Sequence, residues 1–543
     1  MGIKNHAGEA DSVSFLNMHP GLFLDRSARV YPDKVAVVYG EKQYTYQEFD
    51  ERVSRLAGAL VQSGVSAGDR VAYLVPNTPQ MLEGHYGPMR MGSILVAMNT
   101  RLSSKEIGFI IRHSCAKALI FDSEYAEVIG EALGGEGIVD VLVEVVDTSD
   151  ASGLFGAIEY EEFLIGAADV EVPQFDHSEL DTIAIDYTSG TTGEPKGVEY
   201  TGRGAYLNAL GQALDAGLSS TSTYLWTLPM FHCNGWCYTW AVTAVGGTHV
   251  CLKQVNPEEV FSLVAQHSAT HMCAAPSVLT MLEASPMAIE GALSGVKIFT
   301  GGAPPAPRML RAMQSMGAEL HHLYGLTETY GPSTIAAVQP DWAGMSIEDQ
   351  ARMKSRQGVP VTTLHVGVRV VADDMEDVPM DAETIGEVVV RGNTVMAGYY
   401  LDPKASANAF QDGWFHTGDL AVVHPDGYME LKDRKKDVII SGGENISSVE
   451  VEKTLMEHPS ILEACVVGVP DEKWGEAPKA FVTLRDGYKA TSTEIIDFCR
   501  DRLAHFKAPR EVKFGPLPKT ATGKIQKYVI REEEWSGHDR RIG

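Results

Sequence analysis

Short apolar runs alternate along most of the chain with longer stretches in which apolar positions return every three or four residues. Runs of the first kind read as strands: Arg70–Leu74, Ala118–Phe121, Val141–Val146, Thr182–Tyr187, Lys297–Thr300 and Val366–Val371. Several are apolar at consecutive positions, as in strands covered on both faces. The stretches between them, such as Tyr46–Ser63, Pro257–His267 and Pro307–Met316, carry a helical period. This alternation predicts an α/β fold: a large N-terminal domain with parallel-rich sheets flanked by helices. After about residue 385 the pattern changes. GEVVVRG and GYMELKDR read as short strands joined by turns, with HPDGY as one turn signal, so a small β-rich subdomain is expected over about 360–435. A further α+β unit follows, with helix Ser448–His458, strands Ala464–Val469 and Ala480–Leu484, and helix Thr493–Leu503. The charged KDRKKD, Lys432–Asp437, is the expected linker, dividing the chain into 1–435 and 436–543.

A length of 543 residues agrees with more than one domain. The net charge of −27 argues against nucleic acid or an anionic membrane surface as main partner. That charge is uneven: 16 Lys and Arg face 18 Asp and Glu from Asp437 onwards, and 29 face 54 before it. The seven cysteines are scattered and no CxxC occurs, so neither a disulfide framework nor a structural zinc site is expected. No run of about twenty apolar residues is present, so no membrane span is expected. MGIKNHAGEADSVSF has no apolar secretory core, His6 stands where a myristoylation signal needs Ser or Thr, and the terminal RIG is no peroxisomal address. The expected compartment is the cytoplasm.

The candidate chemistry begins where the strand TIAIDY runs into TSGTTGEPKG, Thr188–Gly197. Ten residues supply four hydroxyls (Thr188, Ser189, Thr191, Thr192), three glycines (Gly190, Gly193, Gly197) and Lys196. Glycines let backbone N–H groups close on a ligand, hydroxyls donate to phosphate oxygens, and lysine adds a mobile charge. That is the chemistry of a polyphosphate cradle. It is not the P-loop motif, because Pro195 rather than glycine precedes the lysine.

YTSGTTGEPKG resembles the signature of the AMP-forming adenylating superfamily of acyl-CoA synthetases, luciferases and carrier-protein adenylation domains. FHCNGW, TGGAPP, YGLTETYGP, GWFHTGDL, KDRKKDVIISGGENISSVEVE and PKTATGKIQK follow in that family's order over nearly the whole chain. They look closest to its medium-chain, methylmercaptopropionate and plant-type short-chain or aromatic acyl-activating branch. The resemblance implies an acid–CoA ligase using ATP, Mg²⁺ and coenzyme A through an acyl-adenylate, with a small C-terminal domain that moves about Lys436. It implies ATP or AMP contacts from Thr188, Ser189, Gly190, Thr191, Thr192, Gly193 and Lys196. Further nucleotide contacts fall to Gly302, Ala303, Pro304, Tyr324 and Gly325, with Asp419 and Arg434 at the ribose. Thr327 is assigned to the α-phosphate, and Glu328 with Thr192 to the metal. Lys524 is the implied catalytic lysine of adenylation. His232, Trp236, Gly301, Gly302 and Gly325 form the implied acyl pocket, with His232 as its gate, and Ser441, Gly442, Gly443 and Glu444 the coenzyme A tunnel. These assignments suit the residue types: a carboxylate accepts from two hydroxyls, and an ammonium steadies two anions as they meet.

No second cation marks the PMFHCNGWCYTW stretch, which favours an apolar monocarboxylic acid, of short to medium chain or with a small aromatic ring. One departure stands out: relatives place histidine before Arg203, and this chain has Gly202. Two other readings of such a chain are a stand-alone adenylation enzyme loading a carrier protein and a non-catalytic nucleotide-binding regulator. The first lacks a visible carrier domain, and the second predicts loss of Lys524 or Glu328, both present. A homodimer is the oligomeric expectation.

Overall fold

A computed structural model describes residues 16–135, 137–147, 156–173, 175–176, 178–188, 195–302, 307–442, 444–471, 473–519 and 525–536. Two large sheets form the bulk of the chain. In the eight-stranded sheet, Arg70–Leu74, Ile94–Ala97, Ala116–Asp122, Val141–Val145, Ile158–Glu159 and Thr182–Thr188 run parallel. Lys196–Thr201 then turns back antiparallel on Thr182–Thr188, and Gly398–Tyr399 closes that edge. In the nine-stranded sheet, Thr223–Leu225, Thr248–Val250, His271–Cys273, Lys297–Thr300 and Glu319–Leu326 are parallel neighbours. The parallel strands are buried on nearly every residue, as consecutive apolar positions require.

Local chemistry sets the helices. Tyr46–Gln62 starts at a capping box, in which the Thr45 hydroxyl accepts from the Glu48 N–H and the Glu48 carboxylate accepts from the Thr45 N–H. Such caps are worth about 1 kcal/mol. Pro257–His267 has Asn256 as its cap, proline in its first turn, and Val260, Phe261 and Val264 facing the core. The strand expected from Val366 begins instead at Val368, because the Gly367 N–H turns back onto the Leu364 carbonyl.

Val368–Val371, Gly386–Val390, Phe410–Gln411, Trp414–Val423 and Met429–Arg434 make an antiparallel five-stranded sheet. The charged stretch expected as a linker is half strand: Lys432, Asp433 and Arg434 end a strand whose Asp433 and Arg434 pair with the strand carrying Asp419, Lys432 falling at a bulge. Cross-strand pairing at Asp419↔Arg434 puts opposite charges side by side, which favours the ladder over an extended tether. From Ile439 a second five-stranded sheet begins, flanked by helices Ser448–Met456, Ser492–Arg500 and Lys527–Glu534. Its buried clusters run from Ile439 to Ile530, and the largest cluster of the preceding chain ends at Met429. Among the described residues no buried apolar cluster joins the two.

Hydrogen bonds and an ion pair join these units. The Ser447 hydroxyl donates to the Lys432 carbonyl, Ser448 donates through its N–H and hydroxyl to Asp433, and Lys453 pairs with Glu430 at 3.0 Å. Burial alone would raise the Glu430 carboxyl, but Lys453 and Lys432 outweigh it and hold it at about 2. A carboxyl depressed on folding contributes stability above its ordinary value near 4.5, and that contribution fades as pH falls towards 2. Glu430→Gln is therefore expected to cost about 2–3 kcal/mol near pH 6. In urea unfolding, the gap from the native chain should narrow on acidification from pH 5; a gap independent of pH would show that the charge is not what matters.

Among the described residues, no helix is long and apolar enough to cross a membrane, and no group of three or more His, Cys, Asp or Glu gathers as a metal cage. Six of the seven cysteines are buried as free thiols, and Cys115 is exposed.

Candidate active site

The expected site residues leave the sheets at the carboxyl ends of parallel strands, where open α/β sheets bind ligands. Thr188 ends one strand and pairs with Lys196 across the mouth of a hairpin. Gly301 and Gly302 follow Lys297–Thr300, and Gly302 has φ 87°, a backbone glycine adopts freely. Thr327 and Glu328 follow Glu319–Leu326 in a single 3₁₀ turn. Ser189, Gly190, Thr191, Thr192, Gly193, Ala303, Pro304, Gly443 and Lys524 lie outside the described residues.

Three neighbouring groupings emerge. At the first, the Tyr324 hydroxyl donates to Asp419 Oδ2 at 2.8 Å, and Arg434 Nε sits 3.2 Å from Asp419 Oδ1. Asp419 is 4% exposed, so these partners rather than water satisfy its oxygens. Burial, then the Asp419 charge, pushes the Tyr324 phenol well up, which keeps it a donor.

At the second grouping, the Tyr399 hydroxyl donates to Glu328 Oε1 at 2.9 Å, and Lys196 Nζ lies 4.8 Å from the centre of the Tyr399 ring. The Tyr200 hydroxyl holds the Thr327 carbonyl at 2.8 Å, and the Cys233 thiol meets the Thr327 hydroxyl at 3.7 Å. Tyr399 thus bridges the lysine of the hairpin and the carboxylate of the 3₁₀ turn. Glu328, half-buried and oxygen-bearing, is the hard donor that Mg²⁺ takes, and the Tyr399 bond fixes its direction. Glu328 fits the ion as one ligand.

The third grouping is the aromatic stretch. The Trp236 ring packs so closely on Gly301 and Gly331 that a side chain at either glycine would meet it within about 3.0–3.3 Å. His232, half-buried, immediately precedes this turn, and its carbonyl accepts from the Gly235 N–H at 2.9 Å. Five consecutive residues here have positive φ: Cys233, Asn234, Gly235, Trp236 and Cys237. Each non-glycine residue in that region costs about 1–2 kcal/mol, so the surroundings must over-determine the turn. Gly325 lies alongside, and a Cβ there would fall 1.9 Å from the Gly331 carbonyl oxygen.

The described residues among those expected at coenzyme A lie on the second unit's sheet. Ser441 and Glu444 close a hairpin in the second unit, and Gly442, at φ 64°, leaves room for the Trp474 ring. Lys436 is exposed just beyond the strand that carries Arg434. The Gly202 departure has a local reason. A Cβ at Gly202 would lie 2.9 Å from the Met18 carbonyl, and Arg203 turns to Glu179, which also accepts from the Met18 N–H. Arg203 thus serves the docking of residues near Met18.

Sequence reading passed over Tyr399, Tyr200, Asn234 and Asp186. Asp186 carried a signal, being one acidic residue inside the apolar run TIAIDY; Tyr399 carried none, because its role depends on a strand pairing 200 residues away in the chain.

The family model of AMP-binding enzymes matches residues 24–400, and that of their C-terminal domain matches residues 450–524. The chain is 45% identical to an acetate–CoA ligase of Humulus lupulus over 96% of this chain and 95% of that one. It is 43% identical to a peroxisomal acetate/butyrate–CoA ligase of Arabidopsis thaliana, over 96% and 95%. Among solved structures, ATP-bound MatB from Rhodopseudomonas palustris superposes with a TM-score of 0.82 at 26% identity, over 96% of this chain and 99% of that one.

Proposed function

The chain belongs to the AMP-binding enzyme family, and from that premise we propose how its residues divide the work of an acid–CoA ligase. The enzyme joins a carboxylic acid to coenzyme A at the expense of ATP, which leaves as AMP and diphosphate. Relatives of 43–45% identity are named as ligases of acetate, of acetate and butyrate, of 4-hydroxybutyrate and of 2-methylpropanoate, and the acid we assign is a short-chain monocarboxylate. The observation that carries the division of labour is the Lys196–Tyr399–Glu328 bridge. It ties the glycine-rich hairpin to the turn bearing Thr327, while Tyr324, three residues before Thr327, binds Asp419.

In this reading Asp419 accepts from the ribose hydroxyls, with Arg434 beside it. Thr188, Ser189, Gly190, Thr191, Thr192, Gly193 and Lys196 cradle the phosphates, and Thr327 donates to the α-phosphate. Mg²⁺, held by Glu328 with Thr192, would neutralise phosphate charge. Gly302, Ala303, Pro304 and Gly325 offer backbone to the adenine. The acid enters past His232 and stops against Trp236, Gly301 and Gly331. Lys524 steadies the carboxylate as it attacks phosphorus. The unit from 436 onwards then turns about Lys436, and Ser441, Gly442, Gly443 and Glu444 admit the thiol of coenzyme A. Shielding the adenylate from water between steps is the physical reason for such closure. A cytoplasmic homodimer is the proposed setting.

The test is diphosphate release over a panel running from acetate to decanoate, plus methylmercaptopropionate, benzoate and cinnamate, with and without coenzyme A. Coenzyme A-dependent turnover greatest on acids of two to about six carbons is expected. Equal turnover without coenzyme A would favour the carrier-loading alternative, and nucleotide binding without turnover the regulatory one.

A further inference from the structure

Asn234, second residue of the turn of positive φ, is fully buried, and its four polar groups are held. Its N–H and its side-chain amide donate to the two oxygens of Asp186, at 3.0 and 3.3 Å. Its side-chain carbonyl accepts from the Tyr330 hydroxyl at 2.9 Å, and its backbone carbonyl accepts from the Thr239 hydroxyl at 3.1 Å. Tyr330 is itself fixed, stacked on Tyr200 with ring centres 3.6 Å apart, its carbonyl taken by the Asn208 amide at 2.7 Å. The Asn208 amide also reaches the Cys237 thiol, at the far end of the same turn. Asp186 is 2% exposed and stands two residues before Thr188, on the strand that leads into the glycine-rich hairpin.

A backbone that L-residues avoid persists only where its surroundings hold it. We propose that Asp186, Asn234 and Tyr330 form a clamp that holds Trp236 against Gly301 and Gly331 and thereby sets the depth of the acid pocket. They are positioning residues, acting on the acid through the indole. Released from the clamp, the turn relaxes towards ordinary φ values, the indole leaves the two glycines, and the pocket admits longer acids. The same strand then fixes two things at once: Thr188 at the mouth of the phosphate hairpin and, through Asp186, the acid wall. The proposal rests on the reading of Trp236 as that wall.

The experiment compares kcat/KM for acetate, butyrate, hexanoate and octanoate in Trp236→Ala, Asp186→Ala, Asn234→Ala, Asn234→Gly and Tyr330→Phe. KM for ATP and the thermal midpoint are measured on each. Trp236→Ala is expected to raise the hexanoate-to-acetate ratio by at least about 10–200-fold, the range one methylene commands in an apolar pocket. Asp186→Ala and Asn234→Ala should move it the same way by about tenfold or more, with KM for ATP nearly unchanged. Asn234→Gly, which removes the strain together with the grips, should shift it less than Asn234→Ala. Tyr330→Phe, the variant least able to unfold the chain, should shift it about threefold for one lost hydrogen bond. If Trp236→Ala changes the ratio and the other variants lower all acids equally or only lower the thermal midpoint, the clamp is overturned and the pocket stands. If Trp236→Ala leaves the ratio alone, the pocket reading fails and the clamp with it. Should a variant not fold, Tyr330→Phe decides alone.

Discussion

Lys524→Ala is expected to slow acyl-adenylate formation by about 10²–10³-fold, the usual effect of removing one group aimed at developing charge. Thioester formation from supplied acyl-adenylate should change little. In the first step two anions meet and a third leaves, so a fixed ammonium helps most where charge is most concentrated. In the second step the phosphate is already a leaving group and the attacking atom is sulfur. The segment has a fixed base: Lys519 and Ile525 pair across it, and the Gln526 N–H donates to the Pro518 carbonyl at 2.9 Å. One turn on, Lys527 is anchored by Glu452 at 2.8 Å and the Ser448 hydroxyl at 2.6 Å. Single-turnover assays of each half-reaction separate the two outcomes. Equal loss in both would overturn the assignment of Lys524 to adenylation alone.

Asp419→Ala is expected to lower kcat/KM for ATP by about 10²–10⁴-fold, counting two hydrogen bonds to a charged group at about 1.5–3 kcal/mol each. The carboxylate accepts from Tyr324 and pairs with Arg434. Its loss leaves a buried phenol and a guanidinium without their acceptor, so the variant should also unfold more easily. Asp419→Asn separates these effects. It keeps one acceptor oxygen and the packing, so stability should largely return while the ATP defect largely remains. Calorimetric titration with ATP and urea unfolding on both variants give the comparison. Full recovery of ATP affinity in Asp419→Asn would mean that the nucleotide does not need the charge.

The parallel strands were legible because they are buried on both faces and their apolar residues are consecutive; Arg70–Leu74 and Lys297–Thr300 lie where the sequence puts them. Pro257–His267 was legible for a different reason, since its cap, its proline and its stripe all agree. Charge misleads where it pairs. Lys432, Asp433 and Arg434 look like a solvated tether, but each has a partner across a strand or in the next unit. Motif order brings Thr327, Glu328, Asp419 and Arg434 to attention, though not what steers them. Tyr399 reaches Glu328 only because Gly398–Tyr399 leaves the β-rich region to pair with Lys196–Thr201. The turn at Cys233–Cys237 was beyond reading, because four of its five residues are not glycine and local preference points elsewhere.

The polar seam between the strand Met429–Arg434 and the helix Ser448–Met456 has a thermal consequence. Ser447, Ser448 and Lys453 on one side, and the Lys432 carbonyl, Asp433 and Glu430 on the other, exchange one hydrogen-bond partner for another when the units part. Little oily surface meets water in that exchange, and oily surface is what gives protein rearrangements their large heat-capacity change. The proposed turn of one unit against the other should therefore have an enthalpy that hardly drifts with temperature. A plot of that equilibrium against reciprocal temperature should then be close to straight, because the greasy cores on either side stay out of the cycle.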